Sequence, residues 1–91
     1  MTERATRIET ILRQTFQPAE LSVTDESAMH AGHSGAQPGG ETHYQVSMRS
    51  AAFNTLNRLA RSRAVHAALA AEFAGGLHAL SLRLRAIDEP G

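Results

Sequence analysis

Ninety-one residues suffice for one small domain, and a chain this short buries only a modest fraction of its surface, so its margin of stability is narrow. The lack of cysteine excludes disulfides, thiolate metal sites and thiol chemistry within this chain. Nine basic and nine acidic side chains cancel, which weighs against nonspecific nucleic-acid binding. All the basic ones are arginine, suited to bidentate pairing rather than amine chemistry. No apolar run approaches membrane-spanning length and no signal-peptide pattern opens the chain, so a soluble, cytoplasmic protein without membrane contact is expected.

Thr2 to Phe16 is predicted as a helix, with Thr2 as its cap, Glu3 in the first turn, and Ile8, Ile11, Leu12 and Phe16 as one apolar stripe. Pro18 disfavours helix at Gln17 and closes the element. Glu20 to Glu26 reads as a short strand with Leu21 and Val23 on one face. Ser27 to Gly40, rich in Gly, Ser and His, reads as a loop, mobile over about residues 28–40. Glu41 to Arg49 alternates clearly: Tyr44, Val46 and Met48 share one face, and His43, Gln45, Ser47 and Arg49 the other.

Ser50 to Thr55 is a connection with a short helical turn, from which Phe53 plugs the core. Asn57 to Ala74 is predicted as one long helix, its buried side marked by Leu56, Leu59, Leu69 and Phe73. Gly75 and Gly76 supply a left-handed stop. Leu77 to Arg85 is the last strand, with His78, Leu80, Leu82 and Leu84 facing the core and Ser81, Arg83 and Arg85 facing away. Residues 87–91 are expected to fray. The order helix, strand, strand, helix, strand gives a single α+β domain over 1–91, a two-layer sandwich with two helices on one face of a three-stranded mixed sheet.

The second strand, long helix and third strand form a crossover that returns the chain parallel to its start. The third strand then begins at the same sheet edge as the second, where the loop after the first strand also lies. His78 and His30 or His33 become neighbours there, while His43 points to the face opposite His78. Neutral imidazoles from separate segments suit zinc, iron or copper. A closed four-ligand zinc site needs more donors than these, so an open site completed by another protein fits better. The competing reading is that the loop histidines are solvated and His78 is hydrogen-bonded at a helix–strand joint. Arg58, Arg61 and Arg63 are either a solvated helix face or a docking patch for an acidic or phosphate-bearing partner. Arg49, Arg83 and Arg85 form a second basic patch on the outer sheet face. His66 is placed on the helix's polar flank with no role. No acid pair is placed for catalysis and no serine has an oriented base, so no enzyme activity is expected.

The chain resembles the BolA family. The resemblance rests on Asp25-Glu26-Ser27 leading to His30, on HAGHSG from His30, on GGETHY at Gly39 to Tyr44, and on Phe53. It continues through Arg61 and Arg63 before Val65, Ala68-Leu69-Ala70-Ala71-Glu72, and GLHALSL at Gly76 to Leu82. Where the family usually has His between the two arginines, this chain has Ser62. The resemblance implies a class II KH-like fold and a non-enzymatic role in iron–sulfur assembly, trafficking or iron sensing. It implies a monothiol glutaredoxin partner bridged by a [2Fe-2S] cluster, with thiolates from the glutaredoxin and glutathione. This chain would supply His78 and His30, with His33 a close alternative for the loop ligand. The isolated chain is expected to hold no cofactor and to be a monomer or weak dimer. The alternative implied by the family is a DNA- or RNA-binding regulator of stress or morphology genes, using the six arginines named above. A KH domain grips nucleic acid through a Gly-x-x-Gly loop, and no glycine lies between Phe53 and Arg58.

Overall fold

The computed structural model describes residues 3–26 and 42–91. Helix α1 (Glu3–Phe16) buries Ala5, Ile8, Leu12 and Phe16, spaced three and four apart. Each fully buried Ile or Leu contributes roughly 1.5–3 kcal/mol. The helix ends at Gln17, which takes φ 46° and donates its amide to the Arg13 carbonyl. Pro18 disfavours a helical Gln17, so the chain accepts a left-handed non-glycine residue at a cost of about 1–2 kcal/mol. Thr2, the expected cap, lies outside the described residues.

Strands β1 (Glu20–Asp25), β2 (His43–Arg49) and β3 (Ala79–Arg85) form one sheet in the order β1-β2-β3. β1 pairs antiparallel with β2, and β2 parallel with β3. The helices cover one face, so the α+β two-layer architecture is as the hydrophobic pattern predicts. Tyr44, Val46 and Met48 are buried against α1, Phe53, Val65 and Leu69, and Leu80, Leu82 and Leu84 pack at the margin of this core. Buried Ser50 ties three elements together: its hydroxyl donates to the Phe16 carbonyl at 2.6 Å and accepts from Ala52, and its amide donates to the Arg85 carbonyl. That fixes the short 3-10 turn Ala51–Phe53, whose Phe53 ring lies 5.2 Å from that of Phe16.

The long helix is two pieces, α2 (Arg58–Ala68) and α3 (Ala70–Ala74), joined at Leu69. Asn57 caps α2 by accepting from the Ala60 amide at 2.8 Å. Leu59 was expected on the buried side and is 58% exposed instead. The face turned inward runs through Arg61, Val65 and Leu69, four residues apart, and Leu59 lies about 200° around the helix from Arg61. The Gly75-Gly76 stop forms as expected: Gly76 takes φ 120°, Gly76 donates to the Phe73 carbonyl, and Leu77 to that of Glu72. This is a Schellman closure with glycine at the left-handed position. Residues 87–91, expected to fray, are bound: Arg49 donates to the carbonyls of Ala86, Ile87, Glu89 and Gly91, and the Asn54 side chain accepts from the Ile87 amide.

Candidate metal-ligand edge and arginine surfaces

β1 ends opposite Tyr44, and β2 and β3 start side by side in parallel register, His43 beside Ala79. All three strands therefore share one edge. The buried Thr42 carbonyl accepts from both the His78 amide at 2.8 Å and the Ala79 amide at 3.0 Å. These two bonds start β3 at Ala79, so His78 precedes the strand rather than occupying it. Leu77 is buried in its place, and the His78 side chain is exposed, not on the core face as its parity implied.

His43 is the second correction. Strand parity puts it on the face opposite His78, yet the two rings lie 5.3 Å apart, tilted at 52°. Because His78 is outside the pleat, parity does not govern it. His43 is buried, and its Nδ1 shares a 2.8 Å hydrogen bond with the Thr42 hydroxyl. The edge thus holds one buried, hydrogen-bonded imidazole against one exposed imidazole. Sequence reasoning missed this pairing because it began the strand at Leu77, directly after the Gly75-Gly76 stop, whereas β3 begins at Ala79. His30 and His33 lie outside the described residues. Among the described residues, no group of three or more His, Asp or Glu side chains is gathered to hold a metal ion. The exposed His78 ring fits one position on a metal centre whose other ligands come from elsewhere.

The joint that presents His78 is braced from beneath. Arg4 donates Nε to Glu72 Oε1 at 3.1 Å and Nη2 to the Gly75 carbonyl at 2.7 Å. Arg7 meets both Glu72 oxygens, at 2.9 and 3.0 Å. The hydrogen bond from Arg7 holds the Glu72 carboxyl below its ordinary range; burial opposes this, and the charge of Arg7 and the contact with Arg4 reinforce it. This cluster was not legible in the sequence, where Glu72 sits inside an alanine-rich helix like any surface acid.

The arginines divide sharply. Arg61, expected in a docking patch, is committed internally: Nε donates to the Leu56 carbonyl at 2.9 Å, and Nη1 to the Leu84 carbonyl at 3.2 Å and to Glu89 at 2.7 Å. That hydrogen bond, with one from the Ala86 amide, lowers the Glu89 pKa. Arg49 is likewise drawn inward, to Glu20 and the carboxy-terminal carbonyls. Arg58, Arg63 and Arg83 are exposed, and Arg85 is half-buried. His66 is exposed and stacks on Phe73 at 5.1 Å. A groove of about 580 Å³ runs between α2 and β3, lined on one wall by Leu80 to Arg85 and on the other by Arg58, Arg61, Ser62 and His66. No helix among the described residues is long and apolar enough to cross a membrane.

Comparison with known proteins agrees with this architecture. The family described as BolA-like protein matches residues 12–89. BolA-like protein 1 of Pongo abelii is 44% identical over 78 residues, covering 86% of this chain and 54% of that protein. The DNA-binding transcriptional regulator BolA of Escherichia coli (strain K12) is 39% identical over 83 residues, covering 91% and 75%. The solved structure of BolA1 from Arabidopsis thaliana superposes with a TM-score of 0.86 at 33% identity over 100% of both chains. The chain spans about half the length of several curated relatives it matches. With the three-stranded mixed sheet, the Gly-Leu-His joint and a family match across most of its length, this chain belongs to the BolA-like family.

Proposed function

We propose that this chain is a non-enzymatic adaptor in iron–sulfur assembly, trafficking or iron sensing, binding a monothiol glutaredoxin through a shared [2Fe-2S] cluster. The observation that carries the reading is the exposed His78 ring, held at the common strand edge by the Thr42 carbonyl and the Glu72 brace. An accessible imidazole in a chain without cysteine supplies nitrogen and leaves sulfur to the partner. His78 would hold the cluster, with His30 or His33 as second ligand; thiolates would come from the glutaredoxin and glutathione. Such a cluster supplies one-electron chemistry, and imidazole in place of thiolate on one iron raises its potential. Buried His43 would back the His78 ring and restrict its orientation.

The test is reconstitution with a monothiol glutaredoxin, glutathione, iron and sulfide under anaerobic conditions. The wild type should give a mixed complex whose visible absorption and circular dichroism differ from those of the glutaredoxin alone, and His78→Ala should abolish the difference. Unaltered spectra in His78→Ala and in the double variant His30→Ala/His33→Ala would defeat the reading.

A second reading, nucleic-acid binding, draws support from the name of the Escherichia coli relative and from exposed Arg58, Arg63 and Arg83. The internal bonds of Arg49 and Arg61 and the zero formal charge weigh against it. If phosphate contacts dominate, binding weakens steeply with salt; no shifted DNA or RNA at low salt would end it.

A further inference from the structure

We infer that the free edge of β3 takes an extended acidic segment of a partner protein as a fourth strand. β3 ends the sheet among the described residues. In a parallel pair, alternate residues direct both backbone groups toward the neighbour. The Ala79 amide bonds Thr42 and the Arg85 carbonyl bonds Ser50, so the odd-numbered residues of β3 face β2. The even-numbered ones, Leu80, Leu82 and Leu84, turn their amides and carbonyls to the open edge, and Arg61 caps the Leu84 carbonyl. This leaves a run of backbone donors and acceptors at Leu80 and Leu82 in the spacing that an added extended strand pairs.

The surroundings select which polypeptide. The groove beside that edge has a leucine wall, and its exposed cations are Arg58 and Arg83, with half-buried Arg85 beside them. Its acid, Glu89, is already paired with Arg61. A second copy of β3 would set arginine against arginine, the like-charge arrangement by which edge strands avoid self-pairing. A strand alternating acidic and aliphatic residues instead puts carboxylates beside Arg83 and Arg85 and its apolar side chains against Leu80 and Leu82. Unlike the proposed cluster, this interaction does not use His78.

The probe is a blocked heptapeptide of alternating glutamate and valine, titrated into the isotopically labelled chain. The Leu80 and Leu82 amides should shift most and gain protection from hydrogen exchange. Arg83→Glu should weaken binding about tenfold, as should N-methylation of alternate peptide residues. If Arg83→Glu loses its native circular dichroism, Arg83→Gln serves the same purpose. His78→Ala should bind the peptide as the wild type does, which separates this result from the fate of the cluster reading. Equal affinity for the N-methylated peptide, shifts confined to another surface, or a response of these amides to single-stranded DNA but not to the peptide would each overturn the inference.

Discussion

The two ends of the sheet treat their polar side chains in opposite ways. At the far end, where β2 and β3 finish, Arg49 and Arg61 turn inward and tie strand ends, helix and tail together through carbonyls and Glu89. At the near end, the backbone is bonded and braced while the His78 ring is left outside. An arginine fork satisfies several carbonyls at once, so a cation beside loose chain ends becomes structural. A histidine on a capped joint has its backbone satisfied already and is free to serve another molecule.

The most damaging change should be Glu72→Ala, which removes the carboxylate that Arg4 and Arg7 share at the brace. Losing these charge-assisted hydrogen bonds, with Arg7 half exposed, costs about 1.5–3 kcal/mol, measurable as a lower urea midpoint. The same carboxylate gives a pH signature. Its folded pKa lies below the ordinary 4.5, so its contribution is fully present above that value and is lost as the pH falls through the lowered one. Glu72→Gln should flatten that acid-side decline; an unchanged slope would show that other groups control it. Arg61→Ala should cost about 1–2 kcal/mol through lost hydrogen bonds, with faster amide exchange along residues 86–91. Exchange left unchanged there would mean that Arg61 does not hold the tail. His78→Ala should change stability by less than about 0.5 kcal/mol, as an exposed side chain does. A large loss would place that ring in the fold rather than at its service.

The fold was legible because its signals are local and agree. The stripe from Ile8 to Phe16, the alternation from Tyr44 to Met48 and the Gly75-Gly76 stop each specify one structure, and their order restricts the topology. The sheet edge was half legible. Topology gathers the strand starts correctly, but the parity that separates His43 from His78 fails because two amides share the Thr42 carbonyl and delay β3 by two residues. The commitments of Arg4, Arg7, Arg49 and Arg61 were not legible, since each depends on a carbonyl or carboxylate far away in sequence. The similar surface composition of Arg58 and Arg61 conceals one exposed side chain and one structural one.

The central claim is that the His78 imidazole, set outside the fold at the strand edge, binds iron shared with a partner. The direct measurement is pulsed electron paramagnetic resonance on the reduced complex with a monothiol glutaredoxin, this chain carrying nitrogen-15 histidine. The account predicts nitrogen-15 couplings to the cluster in the wild type and loss of one coupling class in His78→Ala. Identical couplings in both would contradict it.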